Sequence, residues 1–277
     1  MNQFSKQETK KLLKKHGISP LKRFGQNFLI DQSAIKKIID AANVNSEDII
    51  LEIGPGTGVL TQELAKRAKK VIAIEKDIKM IEILRETLKE FSNIDLMQGD
   101  ALKMANNQLI SPYKVIGNLP FYLTAPLIRQ FLEKENPPRE MTLIVQKEVG
   151  QRICAKPPKM SILAVSVQLY AHPRIISYIS KKSFWPSPKV DSAIIKISIT
   201  DSNQEIDKDL FFKIVKAGFS QPRKQLINNL SKGLGMERAK AEKWLLRNEI
   251  EPSQRAETLK IEDWLKLLKD FLKNQDF

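Results

Sequence analysis

Asn118-Leu119-Pro120-Phe121 closes a short apolar run, Tyr113-Lys114-Val115-Ile116-Gly117, and gathers three kinds of binding group at one strand end. Asn118 offers a side-chain amide, Leu119 a backbone carbonyl stiffened by the proline that follows, and Phe121 a flat apolar face. Together they suit a planar base carrying an exocyclic amine, because two oxygens can accept from the amine while the ring stacks on the base. Taken alone, the same residues would serve equally well as a strand end, with Asn in a turn and Pro stopping the hydrogen-bond ladder. The other residues equipped for chemistry decide between these readings.

Glu52-Ile53-Gly54-Pro55-Gly56-Thr57-Gly58 is a glycine-rich turn through which a ligand can approach the backbone closely. Its G-x-G-x-G spacing differs from the G-x-G-x-x-G of dinucleotide folds. Glu75, ending the next apolar run, can accept from both hydroxyls of a ribose. Asp100, one run further on, can accept from an adenine amine. Singly, Glu75 also suits a helix cap and Asp100 a turn. As a set they describe a nucleoside pocket that makes no demand for phosphate contacts, which S-adenosylmethionine fits better than NAD.

These residues need a frame. Stretches at 49–53, 71–74, 94–98, 113–117 and 141–145 read as strands, and 49–53, apolar except for Glu52, as one buried on both faces. Helical patterns separate most of them: Asp31 as N-cap of a helix over 33–42, a helix from the glycine turn through Ala68, one over 77–91 and one over 126–134. Such alternation predicts a parallel sheet with right-handed crossovers. Gly54, Glu75, Asp100 and Asn118 all fall just past the C-terminal ends of strands, the edge at which open α/β sheets bind ligands. Upstream, 6–16 reads as a short helix closed by Gly17, followed by the irregular Phe24-Gly25-Gln26-Asn27-Phe28-Leu29. Downstream, 161–170 reads as a helix and 174–179 and 190–199 as strands, flanking the proline-stiffened Phe184-Trp185-Pro186-Ser187-Pro188. After a polar linker at 201–205 only helical spacing remains. The expected organisation is a catalytic α/β domain over 1–200, with a basic N-terminal arm, and a small all-helical domain over 206–277.

Forty-six Lys and Arg against 32 Asp and Glu give a net charge of +14, which favours a polyanionic partner. No apolar run approaches the ~18–20 residues of a membrane span. The single cysteine, Cys154, excludes an internal disulfide, and His16 and His172 are too far apart in sequence to suggest a metal site. A reducing cytoplasm is the expected compartment.

The motifs Phe24 to Leu29, Glu52 to Gly58, Glu75, Gly99-Asp100-Ala101, Asn118 to Phe121 and Phe184 to Ser192 run in one order over about residues 20–200. In that order the chain resembles the ribosomal RNA adenine N6,N6-dimethyltransferases, and most closely their small-subunit branch. The resemblance implies a Rossmann-like, S-adenosylmethionine-dependent methyltransferase sheet with a helical, RNA-binding C-terminal domain. It implies a lid over the cofactor made of Gln26, Asn27 and Leu29. Gly54 and Gly56 would line its methionine portion, Glu75 would hold the ribose and Asp100 the adenine. Asn118 would face both methyl donor and target amine, beside Leu119 and Pro120, with Phe121 and Phe184 sandwiching a flipped adenine. The implied reaction dimethylates two adjacent adenosines in a hairpin near the 3′ end of small-subunit rRNA, within an immature small subunit. A monomer acting without metal or membrane is expected. The alternatives are a large-subunit adenine methyltransferase of the macrolide-resistance type and an assembly factor with secondary catalysis. Two positions depart from the family pattern: Phe121 where Tyr is common, and Pro222 where a second arginine usually precedes Arg223-Lys224.

Overall fold

The computed structural model describes residues 5–21, 25–103, 112–200 and 206–274, Phe121 by its backbone alone. Phe24 and the expected linker at 201–205 therefore lie outside the described residues, as does the side chain of Phe121. In chain order the elements are α1 (Lys6–Lys15), β1 (Phe28–Leu29), α2 (Gln32–Ala42), β2 (Ile49–Ile53), α3 (Val59–Ala65), β3 (Lys70–Glu75), α4 (Ile78–Thr87), β4 (Ile94–Gln98), β5 (Lys114–Asn118), α5 (Thr124–Leu132), β6 (Glu140–Gln146), α6 (Lys147–Ile153), α7 (Ile162–Gln168), β7 (Ala171–Ile179), β8 (Phe184–Trp185), β9 (Ser192–Ile199), α8 (Lys208–Gly218), α9 (Leu226–Leu234), α10 (Arg238–Arg247) and α11 (Ile261–Lys273). Short 3-10 turns at Phe121–Leu123 and Lys181–Ser183 lead into α5 and β8.

The main sheet has the order β4-β3-β2-β5-β6-β9-β7. β4, β3, β2, β5 and β6 run parallel, and β9 is antiparallel to both β6 and β7. From β2 the chain winds outward through β3 and β4, then returns to β5 on the other side of β2. The crossovers on the two sides therefore diverge above the β2–β5 seam, and that divergence opens a crevice at the C-terminal edge. The seam itself is tight. A Cβ on Gly117, opposite Ile53, would stand 2.7 Å from the Ile53 carbonyl oxygen, so glycine is what lets β5 lie this close to β2.

The opposite edge of the sheet is closed by two buried lysines. Lys114 Nζ donates to the carbonyls of Ala42 and Asn43 and to Asp48, at 3.3, 2.8 and 2.8 Å. Lys196 Nζ donates to the Ala41 carbonyl at 3.0 Å and pairs with Glu140 at 2.9 Å. Both ammoniums sit where the C-terminal carbonyls of α2 are otherwise unpaired and the helix dipole is negative. They fasten the crossover helix to the base of the sheet.

A second sheet has two short strands. β1 pairs antiparallel with β8, Phe28 opposite Trp185 and Leu29 opposite Phe184. Ser183 Oγ donates to Asp31 at 2.6 Å, and the Ile30 amide donates to the Ser183 carbonyl at 2.9 Å, so the aromatic loop is pinned to the segment preceding α2. Sequence periodicity gave no sign of this pairing. Other expectations ran long: α3 stops at Ala65 rather than Ala68, α4 at Thr87 rather than Phe91, α5 at Leu132 rather than Lys134, and α7 at Gln168 rather than Tyr170.

By internal contacts the chain divides into two compact units, residues 1–151 with 171–199 and residues 152–170 with 200–277. The stretch 152–170, expected in the first domain, groups with the C-terminal helices. It does so because the Met160 amide donates to the Glu257 carbonyl, the Thr200 amide to the Tyr170 carbonyl, and Lys208 lies over the Tyr170 ring. Within that unit Phe219 stacks on Trp264 at 5.6 Å between centroids, and buried Asn229 donates to the Gly218 and Gln221 carbonyls, fixing the turn that exposes Arg223 and Lys224.

Gly117→Ala is expected to lower stability by roughly 1–3 kcal/mol, the usual range for forcing an added carbon into a packed site. A urea denaturation midpoint equal to that of the parent would show that the seam relaxes freely.

Candidate active site

At the C-terminal edge, above the β2–β5 seam, lies a cleft of about 980 Å³, open to solvent at its mouth. Its walls come from the 25–29 segment, the 52–60 turn, the ends of β3 and β4, and the start of the 3-10 turn after β5. Gln26, Asn27, Leu29, Gly54, Gly56, Glu75, Asp100, Asn118 and Pro120 all line it. The elements thus bring together residues spread over almost 100 positions of sequence.

Gly54 and Gly56 both have left-handed backbones, with φ of 67° and 60°. A Cβ on Gly56 would meet the Phe28 ring at 3.2 Å, so the turn fits under the 25–29 segment only without side chains. Glu75 is 8% exposed and accepts from the Asp77 amide at 2.8 Å. Burial raises its pKa, against the pull of the Asp77, Lys76 and Gly56 amides. Asp100 accepts from the Leu102 amide at 3.1 Å and from Lys76 Nζ at 2.8 Å. The Lys76 ammonium holds its carboxyl below the usual range.

The 25–29 segment is tied down at several points. Gln26 accepts from the Leu21 amide and donates to Asp77, the residue that caps α4. Asn27 donates its side-chain amide to the Gly25 carbonyl at 3.0 Å, and its own carbonyl accepts from Asn118 Nδ2 at 2.9 Å. That last bond commits the NH2 end of the Asn118 amide to the protein. Oδ1 is left as the end available to a ligand.

Leu119 is 2% exposed and its side chain faces the core, so only its backbone can serve the site. Phe184, expected to sandwich a base, is 3% exposed and belongs to the buried cluster that contains Leu29, Ile179 and Ile194; it does not line the cleft. Pairing of β8 with β1 turns that ring inward. Among the described side chains the exposed ring on the cleft wall is Tyr122, 53% exposed, its edge 3.9 Å from where a Gly25 Cβ would stand. Tyr122 and the buried acid Glu52 are cleft residues to which sequence reasoning gave no separate role. A bulky aromatic next to Asn-Leu-Pro-Phe was the available signal for Tyr122.

Among the described residues the cleft's ionisable wall residues are Glu52, Glu75, Asp100 and Lys76. A protein of net charge +14 therefore carries a cleft that is net negative. That donor set fits a nucleoside bearing cationic groups, as S-adenosylmethionine does, and disfavours a pyrophosphate.

Residues 19–273 match the family model described as "Ribosomal RNA adenine dimethylase". A "Ribosomal RNA small subunit methyltransferase A" of Dehalococcoides mccartyi is 40% identical over 275 residues, covering 96% of this chain and 94% of its own. The protein of that name from Clostridium botulinum is 41% identical over 266 residues, covering 94% and 96%. Among solved structures, a dimethyladenosine transferase from Plasmodium falciparum superposes with a TM-score of 0.76 at 28% identity, covering 88% of this chain and 97% of its own. The 23S rRNA methyltransferase ErmE gives 0.74 at 25% identity, covering 88% and 99%.

Glu52 lies at the floor of the cleft, 1% exposed, its Oε2 without a hydrogen-bond partner among the described residues. Burial, opposed by the Thr61 hydroxyl and reinforced by the Glu75 charge, pushes its pKa up to about 8. Between about pH 4.5 and 8 the folded protein holds a proton that the unfolded chain has released. Stability of the ligand-free protein from this group therefore falls as pH rises through that window and levels off above it. Glu52→Gln removes the penalty and is expected to raise the melting temperature of the ligand-free protein by several degrees at pH 8 and by little at pH 5. Equal shifts at both pH values would mean that Glu52 ionises normally.

Proposed function

We propose a specific reaction for this chain, which belongs to the ribosomal RNA adenine dimethylase family: N6,N6-dimethylation of two adjacent adenosines in a hairpin near the 3′ end of small-subunit rRNA. The chain is an S-adenosylmethionine-dependent rRNA adenine methyltransferase with a Rossmann-like sheet. Identities of 40–41% over nearly the whole chain to small-subunit enzymes, against 25% to ErmE, favour the small subunit over the large. The substrate we infer is the immature small subunit in the cytoplasm, methylated by a monomer.

The observation that supports the site assignment is the hydrogen bond from Asn118 Nδ2 to the Asn27 carbonyl, because it commits the amide nitrogen to the protein and leaves the oxygen to a ligand. The lone pair of an adenine N6 is delocalised into the ring, which makes the amine a poor nucleophile. In the proposed mechanism Asn118 Oδ1 and the Leu119 carbonyl accept from the amine's two hydrogens. They draw the nitrogen toward tetrahedral geometry and aim its lone pair along the cleft. Pro120 stiffens the backbone that presents the Leu119 carbonyl, and Phe121 provides the stacking face for the base. S-adenosylmethionine, when bound, supplies a sulfonium methyl. Glu75 would hold its ribose, Asp100 its adenine, and the Gly54–Gly56 turn its methionine portion, beneath Gln26, Asn27 and Leu29.

Catalysis in this scheme is mostly positioning, which can contribute ~7–11 kcal/mol when the reacting groups are held in a near-attack geometry. No strong base is required, since the proton leaves only after the nitrogen has become cationic. The cleft wall accordingly contains no histidine, and His16 is engaged elsewhere by Glu86 at 2.8 Å. A second transfer to the same nitrogen requires the pocket to take back the monomethylated amine.

Asn118→Ala is expected to fold and to retain measurable cofactor binding by calorimetry. Its turnover on immature small subunits should drop on the order of a hundredfold or more. Parent-like turnover would remove Asn118 from the chemistry. Neutralising Arg223 and Lys224 together is expected to weaken RNA binding and flatten its salt dependence, as lost phosphate contacts release fewer counterions. An unchanged slope would move that contact away from the C-terminal turn.

A further inference from the structure

A second groove lies on the same C-terminal sheet edge, beyond β6 and β9, with about 900 Å³ of empty space. It is built where α6 leaves β6 and where the 180–191 loop enters β9. Its frame is fixed by backbone bonds. The Lys147 amide donates to the Asp191 carbonyl at 2.9 Å, the Lys181 amide to Asp191 Oδ1 at 3.0 Å, and Ser187 Oγ to the Lys181 carbonyl at 2.9 Å.

On this frame stand Lys147, Lys181 and Lys189, with Lys182 adjacent, and all four are exposed. Among the described residues none of them has an ion-pair partner, although Glu148 and Asp191 lie in the same groove. Elsewhere in this unit lysines such as Lys15, Lys66, Lys70 and Lys76 are matched to carboxylates at 2.5–2.8 Å. Lys147 Nζ instead sits 5.3 Å from the centroid of Tyr178, a ring that is 46% exposed and receives a hydrogen bond from Gln151 at its hydroxyl. Ammoniums without carboxylate partners beside a half-exposed aromatic ring are what single-stranded nucleic acid binds, phosphates to the cations and a base on the ring's uncovered side.

The sheet serves as a ruler to the cleft. Asn118 pairs with Ile144 and Gln146 with Ser192, so the groove starts one to two strands across and about two residues beyond Asn118. At ~4.8 Å per strand and ~3.3 Å per residue, taken at right angles, this is about 8–12 Å. We propose that the groove holds the sugar–phosphate backbone of the single-stranded nucleotides flanking the target adenosine, with Lys147, Lys181 and Lys189 on phosphates and Tyr178 under a flanking base. This rests on the rRNA reading above and assigns the flanking strand a path across β6 and β9. Glu148 and Asp191 oppose the phosphates; Asp191 is occupied by the Lys181 amide, and Glu148 would disfavour a phosphate drawn too deep.

The test is Lys181→Ala/Lys189→Ala, compared with the parent and with Lys69→Ala/Lys89→Ala, two exposed lysines at the opposite edge of the sheet. Methylation of immature small subunits is measured against salt, with cofactor affinity measured by calorimetry. The groove variant should raise KM for the subunit about tenfold or more, leave kcat and cofactor affinity within twofold, and lose about 1.4 from the log–log salt slope, ~0.7 for each cation on a single strand. The control pair should match the parent. A groove variant indistinguishable from an active parent overturns the groove alone, as does an equal loss in the control pair. A parent that binds cofactor yet methylates no small-subunit RNA overturns the rRNA reading beneath it.

Discussion

The close approach of β5 to β2 is the constraint on which the rest of the site depends. Gly117 lies against the Ile53 carbonyl at a distance no side chain would allow, and this seam divides the two outward-winding halves of the sheet. Residues leaving the two strands therefore emerge side by side: the glycine turn from β2 and Asn118 from β5. A wider seam would separate the backbone cradle from the amide that faces it. The buried lysines at the far edge complement this arrangement. They hold α2 where its preceding segment reaches over the cleft, and through Asp31 and Ser183 that segment also fixes the aromatic loop.

The electrostatics separate two kinds of ligand. Over its whole length the chain is strongly basic, yet among the described residues its cleft is lined by three acidic side chains, one of them held protonated by burial, and one lysine, which is paired with Asp100. Such a contrast suits a cationic nucleoside in the cleft and a polyanionic RNA on the basic surface outside it. Exposed ion pairs of this kind contribute little to stability, so the contrast is better understood as recognition than as a means of holding the fold together.

Much of this was legible in the sequence, for reasons that differ by element. β2 and β4 were readable to the residue because short stretches rich in apolar residues and bounded by turns on both sides have little else to become. Asp31 was readable as an N-cap because capping is local chemistry. The glycine turn, Glu75, Asp100 and Asn118 could be placed because each follows a strand. The β1–β8 pairing was not readable: two-residue strands have no period, and their partners are over 150 positions apart. That one omission explains the misplacement of Phe184, whose side chain turns inward as a result of the pairing. The grouping of 152–170 with the helical unit was not readable for a similar reason, since it depends on contacts with residues that lie far downstream, such as Glu257.

The position of β9 has a consequence for how the protein is made. The strands β2 to β6 are complete once residue 146 has been synthesised, but β9, which covers the open edge of β6 and carries β7 outside it, ends only at residue 199. Until then a nascent chain presents an apolar, unpaired strand edge of the kind that invites pairing with other chains. The aromatic loop that secures the cleft's lid arrives in the same late segment, at residues 184–185. Protection from aggregation and completion of the cleft are thus delivered together, by the 171–199 segment of the first unit. Translation that stalls between residues 146 and 192 would yield a fragment with a nearly whole sheet, an unsecured site and a sticky edge, a natural substrate for chaperones and proteases.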